Sequence, residues 1–263
     1  MDEVVFGGIM LALGVGVGIV SGALGIGGGT LMVPAFLQFV PGMDIHTAKG
    51  SSLFIIIFVS MWSSWKMNRG AHRAPWDMVA LLALGSMAGG YFGGWATGLM
   101  PERTVTLLFV ALIGYMAYRT FFLMPRVVRE EDVRRRRAWS VGIGIAAGIV
   151  GGGTGTGGGA VLVPMALFAG ISSNERVVAL SNTVMIATAA AGALAHFMGE
   201  KTAEIDWTYG QVTLSLAPLV FLGAVAGTPA GRAANARMTL GRRRAIMGVL
   251  LAVISLRLLA NLL

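Results

Sequence analysis

Between Val4 and Val40 the chain carries no charged residue, and eight of the sixteen residues from Gly14 to Gly29 are glycine. Each glycine inside a helix costs roughly 1 kcal/mol relative to alanine. A membrane helix that starts at Val4 is therefore expected to unwind near Gly25–Gly29, and a second, shorter helix to run from Thr30 to Val40. Unwound backbone at membrane depth is tolerated only where protein buries it or where it lines a cavity. A single break of this kind reads equally well as a tight helix crossing or as a cavity.

The break occurs twice. Gly25-Ile26-Gly27-Gly28-Gly29-Thr30 returns as Gly155-Thr156-Gly157-Gly158-Gly159-Ala160, and Gly14–Pro34 laid over Gly144–Pro164 at a constant offset of 130 is identical at 11 of 21 positions. The matched Val33-Pro34 and Val163-Pro164 pairs show that this is duplication and not chance glycine enrichment. A duplicated pair favours the cavity. Farther on, Gly85, Gly89 and Gly93 return as Gly223, Gly227 and Gly231 at an offset of 138, so about eight residues were gained between them. Four-residue spacing of glycine lets a neighbouring helix approach closely.

With 56% apolar and only 12% charged residues among 263, the chain is not a soluble domain, in which about a quarter of residues are charged. It reads as an all-α, polytopic membrane protein. Apolar runs at about 4–40, 50–65, 78–101, 104–118, 138–174, 177–199, 207–231 and 245–256 give eight hydrophobic elements. Asp2-Glu3 stand where a secretory signal would carry positive charge, so no cleavable signal is expected. The net charge of +8 comes from loops between apolar segments and not from an aromatic-interleaved patch, so it reports orientation and no nucleic-acid partner. The absence of cysteine removes thiol chemistry, and the scattered methionines join no metal-binding cluster.

Loop charges set the topology by the positive-inside rule. Lys66, Arg69 and Arg73 against Asp77, the seven arginines of Arg119–Arg137 and the five of Arg232–Arg244 point to the cytoplasm. The loop Glu200–Asp206, with three acids to one lysine, points outward. Equivalent loops then lie on opposite sides, which requires an odd number of crossings per half. The expected architecture is two inverted repeats, each a glycine-broken helical hairpin plus three transmembrane helices: residues 1–124, a basic cytoplasmic linker at 125–137, and residues 138–263. Two parallel halves of four crossings would put one of the basic loops outside.

Two hairpins that enter from opposite faces bring their tips together near the midplane, where inverted-repeat transporters bind substrate. Helix N-termini at the tips present free N–H groups and positive dipole ends, which favour an anion. The expected substrate-binding residues are Gly25, Gly27, Gly28, Gly29 and Thr30 on the first tip and Gly155, Thr156, Gly157, Gly158 and Gly159 on the second. Lys49, Ser51 and Ser52 at one helix start and Ser181 and Asn182 at the next join them, with Ser51-Ser52-Leu53 set against Ser181-Asn182-Thr183. Lys49 either steers anions in an outer vestibule or anchors by snorkelling; His196 is read as an interfacial or packing residue. No acidic residue lies mid-membrane, so no proton or sodium site is visible. No catalytic dyad, nucleophile with base, metal set or cofactor motif is seen.

Gly22–Pro34, its copy Gly152–Pro164 and the polar helix starts resemble the sulfite exporter TauE/SafE family of bacterial and archaeal membrane proteins, over essentially the whole chain. The family often has Gly-Thr-Ser at the two helix starts, where this chain has Lys49-Gly50-Ser51-Ser52 and Leu180-Ser181-Asn182. The resemblance implies export of sulfite or an organosulfonate across the cytoplasmic membrane, with the bilayer and a small anion as partners. A channel of the same architecture and a transporter of a non-sulfur organic anion remain open alternatives.

Overall fold

The computed structural model describes residues 3–70, 72–122, 128–134 and 137–239, with scattered positions from 241 to 256. Among them the chain is helical: α1 (Glu3–Leu24), α2 (Gly29–Phe39), α3 (Ile45–Asn68), α4 (Trp76–Gly98), α5 (Glu102–Phe122), α6 (Arg137–Thr154), α7 (Gly159–Phe168), α8 (Val177–Phe197) and α9 (Ala217–Arg237). By length and composition alone, α1, α3, α4 and α8 can cross a membrane.

Both expected breaks are present, at corresponding residues. α1 stops at Leu24 because Gly25 takes the left-handed region (φ +68°), and α6 stops at Thr154 before Gly155 (φ +76°). α2 and α7 restart at Gly29 and Gly159 and carry Pro34 and Pro164 within them. α3 begins earlier than its apolar run suggests, because Asp44 caps it: the carboxylate accepts from the amides of His46 (2.8 Å) and Thr47 (3.1 Å).

The glycine stripes pack the two halves together in an exchanged pairing. Gly14, Gly18 and Gly22 of α1 lie on the backbone of Val220, Ala224 and Thr228 in α9, whose own Gly223, Gly227 and Gly231 lie on Leu11, Val15 and Ile19. The same interface recurs between α6 and α4, where Gly144, Gly148 and Gly152 meet Leu82, Ser86 and Gly90, and Gly85, Gly89 and Gly93 meet Val141, Ile145 and Ile149. In both, helices run parallel and a Cβ at any of these glycines would stand against a backbone oxygen. Between the two crossings, α3 and α8 run antiparallel: the Ser64 hydroxyl is 2.8 Å from that of Thr183, whereas Thr47 near the start of α3 reaches Thr202 beyond the end of α8 (3.1 Å).

Two features depart from the sequence reading. The apolar run from 207 does not begin as helix: Thr208–Tyr209 and Val212–Thr213 form a two-stranded antiparallel hairpin, and α9 starts only at Ala217. Gly210 (φ +55°) makes its turn. The relation of α3 to α8 is also shifted by one residue. Gly25 rests on Val178 and Gly155 on Lys49, and Ser181 and Ser52 make equivalent bonds, so the offset there is 129. With 138 between α4 and α9, the second half gains nine residues, and the hairpin lies in that gain. Of the expected eighth element, eight of the twelve residues 245–256 are described and all eight are helical, whereas 125–127 and 135–136 of the expected linker lie outside the described residues. The described part of the linker is tied to the loop before α8 by Val128 and Asn174 (2.7 and 3.1 Å) and by the Arg176–Glu130 ion pair (3.2 Å).

Candidate functional site

The two tips lie directly against each other. A Cβ on Gly29 would meet the carbonyl oxygen of Gly155 and the Cα of Thr156, and one on Gly159 would meet the carbonyl of Gly25 at 2.5 Å. Gly27 faces the Thr156 carbonyl and the Met185 sulfur, and Gly157 faces Ile56. Gly28 and Gly158 turn inward onto their own hairpins, on Val17 and Ala147. Ile56 of α3 and Met185 of α8, each against glycines of both tips, are an equivalent pair at offset 129 that the sequence reading missed, because each looks like an ordinary apolar helix residue.

Serine hydroxyls pin the tips from the flanking helices. Ser181 donates to the Gly25 carbonyl (2.6 Å) and Ser52 to the Gly155 carbonyl (2.8 Å). With those carbonyls occupied, the tips show their donor side: among the described residues the amides of Gly27, Gly28, Gly29 and Thr30, and of Gly158, Gly159 and Ala160, have no backbone acceptor. These are the orphan donors of two helix N-termini. The Thr30 hydroxyl is buried without a partner, while Thr156 shares its hydroxyl with Thr154 (2.9 Å). Replacing Ser52 or Ser181 by alanine leaves a buried carbonyl unpaired and should lower stability by about 1 kcal/mol each. Thermal unfolding in detergent measures this, and the double variant should be close to additive.

Not all expected residues face the tips. Ser51 points away and accepts from the amide of Thr213 in the hairpin (2.8 Å). Asn182 is spent on α1 and its own helix: its amide reaches the carbonyls of Ser21 (3.3 Å) and Val178 (3.0 Å), and its oxygen accepts from the Ser21 hydroxyl (2.9 Å). Lys49 does lie at the second tip, but it is fully enclosed, neither in an open vestibule nor snorkelling, and its amino nitrogen bonds to the Thr97 hydroxyl (3.0 Å). No carboxylate among the described residues pairs with it. Thr97 in turn reaches the carbonyls of Gly93 (2.8 Å) and Gly153 (3.1 Å), which links Lys49 to the second broken element. His196 is buried beside this group and holds Gln211 at 2.6 Å. Thr97 and Gln211 were missed by sequence reading, since neither stands near a recognisable motif.

On the other side of the tips a cavity of about 430 Å³ opens between α3, α8 and α9. Met67, Val178, Ala179, Arg232 and Asn235 line it, with His72 and Glu175 paired at its rim (3.0 Å). Because Val178 is also the residue on which Gly25 rests, the cavity reaches the first tip. Among the described residues no group of His, Asp and Glu could hold a metal ion.

A duplicated broken helix, glycine crossings and a cavity that ends at a helix tip define a multi-pass membrane transporter, and the comparisons agree. Residues 10–258 match the sulfite exporter TauE/SafE family, and the chain belongs to it. It is similar to the probable membrane transporter protein YunE of Bacillus subtilis, 25% identical across 95% of this chain and 96% of that one. It is also similar to the probable membrane transporter protein MJ0441 of the archaeon Methanocaldococcus jannaschii, 23% identical across 95% and 94%. The probable membrane transporter protein MamO of Paramagnetospirillum magneticum is 26% identical over 98% of this chain but only 45% of its own length. No solved structure matches.

Proposed function

We propose that the protein exports a small sulfur-containing anion, sulfite or an organosulfonate, across a cytoplasmic membrane, and binds it between the two glycine tips. The observation that carries this reading is the pair of touching tips whose carbonyls are taken by Ser52 and Ser181 while, among the described residues, most of the tip amides have no backbone acceptor. An anion with several oxygens fits such donors, and glycine lets oxygen approach the amides without a Cβ in the way. Gly25, Gly27, Gly28, Gly29 and Thr30 serve from one side, and Gly155, Thr156, Gly157, Gly158 and Gly159 from the other. Ser52 and Ser181 orient them. Lys49 supplies an amino group, and Ser51 and Asn182 act one layer out, by holding the hairpin and the end of α1.

The halves 1–124 and 138–263, joined by 125–137, are read as inverted repeats. The antiparallel course of the equivalent helices α3 and α8 supports this, as does the recurrence of one glycine interface in exchanged pairs. With the arginine-rich loops inside, the cavity beside Arg232 faces the cytoplasm and the Lys49 side faces out. Moving one negative charge outward gains roughly 2.3 kcal/mol per 100 mV of inside-negative potential, so a passive carrier exports. A carrier is favoured over a channel because one side of the tips is open while the other is filled by buried side chains.

Proteoliposomes loaded with sulfite, sulfate, thiosulfate, sulfoacetate or a carboxylate test the reading. Saturable flux with counterflow is expected for sulfite or the sulfonate. Flux confined to carboxylates would move the substrate class, and unsaturable flux without counterflow would make the protein a channel.

A further inference from the structure

The open cavity has a counterpart. Through the offsets of 129 and 138, the lining residues Met67, Val178, Ala179, Arg232, Asn235 and Ala236 correspond to His196, Lys49, Gly50, Gly94, Thr97 and Gly98. Gly70 and Met238, also on the cavity wall, correspond to Gly199 and Met100, the same residue types, which supports the register. These counterparts sit on the far side of the tips, against Gly155 instead of Gly25. Here Lys49, His196 and Gln211 are buried, at 0%, 1% and 3% exposed.

What fills the space comes from the nine residues that the first half lacks. The loop after α8 folds back as the hairpin and inserts Gln211. A Cβ on Gly50 would meet the Gln211 carbonyl, one on Gly199 would stand 3.0 Å from the Gln211 side chain, and one on Gly98 would stand 3.6 Å from it. The amide of Gln211 donates to the His196 carbonyl (2.9 Å), and the loop is further held by Thr202, whose hydroxyl reaches Asp44 (2.9 Å). Bulk alone would ask for an apolar plug, yet the enclosed groups are polar and poorly matched. By hydrogen-bond geometry His196 Nε2 and His46 Nδ1 are buried without a partner, only the backbone at Gly152 and Met100 coming near the two rings, and Lys49 has only a neutral hydroxyl. A buried polar group left unpaired costs roughly 1–3 kcal/mol, so such groups persist where another state uses them. Asp44 acts on Lys49 only from a distance while it caps α3 and holds Thr202, and an intramembrane amine with no ion-paired carboxylate marks by default an anion's site or path.

We propose that the hairpin loop 199–216 is the outer gate of the transporter and that the enclosed polar cluster beneath it is a second anion subsite, in which Lys49, His196 and His46 receive the anion as it leaves the tips. Seated on α3 and α8, the loop makes the structure open on the Arg232 side and closed on the Lys49 side. When it lifts, Lys49 exchanges Thr97 for an anionic oxygen. The gate has no equivalent in the first half, so the two faces open by different means. This inference rests on the transport reading above.

The chain has no cysteine, so introduced ones report without background. The hydroxyls of Thr47 and Thr202 lie 3.1 Å apart, within the reach of a disulfide once both are cysteine. In the Thr47→Cys/Thr202→Cys protein, oxidation should cut sulfite flux in proteoliposomes about tenfold or more, as for a blocked opening step, and reductant should restore it. Equal flux before and after complete cross-linking, checked by mass, overturns the gate. A Lys49→Cys protein supplies a readout that needs no substrate: a membrane-impermeant thiol reagent added outside should label it, and prior cross-linking through Thr47→Cys/Thr202→Cys in the same chain should suppress the labelling. Position 49 remaining unlabelled, or labelled equally with the loop fixed, also overturns the proposal. Absence of flux for every anion in the wild-type protein, with gated labelling intact, would refute the substrate reading and leave the gate standing.

Discussion

Gly155→Ala should cut transport about a hundredfold, whereas Gly42→Ala should leave it near the wild-type rate. Both glycines have left-handed backbone, φ +76° and +73°, so either substitution carries the same conformational penalty of roughly 1–2 kcal/mol. Their surroundings separate them. Nothing lies within 4 Å of a Cβ on Gly42, but a Cβ on Gly155 would stand 2.7 Å from the Cα of Lys49 and 2.9 Å from its Cβ. Carbon atoms sit comfortably at about 3.5–4.0 Å. The obstacle is the backbone of α3, which cannot rotate away as a side-chain end could, so the tip must withdraw. Its withdrawal breaks the Ser52 bond to the Gly155 carbonyl and moves the amides that follow. A displacement near 1 Å at a site of this kind costs about a hundredfold in rate. Initial-rate sulfite flux in proteoliposomes, beside a size-exclusion profile that confirms folding, measures it. Wild-type flux from Gly155→Ala would take the second tip out of the transport path.

Much of the scaffold was legible because it depends on glycine, whose effects are local. Density of glycine located both helix breaks to within a residue, and four-residue spacing marked the stripes of α4 and α9, which meet α6 and α1. Which helix each stripe meets was not legible, since the two stripes look alike in sequence and the pairing is set by the topology. The site divides in the same way. The tip glycines and Ser52 and Ser181 could be chosen from a repeated motif, but the neighbouring Ser51 and Asn182 turn to other partners because successive helix residues point about 100° apart. A register taken from the tips put Ser181 opposite Ser51, and one residue fewer between tip and α8 than between tip and α3 moves the match to Ser52. Gln211 lay beyond reach for another reason. It acts from a hairpin that follows no helix period, inside an apolar run that reads as membrane, and its partners are 12 and more positions away.

Gly18→Leu and Gly89→Leu should each leave little folded protein, although neither residue touches the candidate site. A Cβ on Gly18 would press on the carbonyl oxygen of Ala224, and one on Gly89 on that of Ile145, so the added side chain meets backbone at once and the helices must part. Overpacking of a tight core costs about 1–3 kcal/mol where side chains can adjust. Here they cannot, and each variant should lose at least the upper figure, with neighbouring glycine contacts along the same stripe opening too. The controls lie on helices of the same two crossings, Gly16 on α1 and Gly142 on α6. Nothing is within 4 Å of a Cβ on Gly16 or Gly142, so Gly16→Ala and Gly142→Ala should be neutral or stabilising by up to about 1 kcal/mol through helix propensity. Thermal unfolding in detergent reads all four. The two crossings share no residue, so the losses from Gly18→Leu and Gly89→Leu measure separate interfaces. Similar losses would mean that the exchanged pairings carry comparable weight and that the halves are locked to each other twice. That frame holds the two tips in contact, in addition to the packing of α2 on α3 and of α7 on α8 within each half. A stable Gly89→Leu protein would show that α4 and α6 are free to slide, and the tip geometry described above would then be one of several.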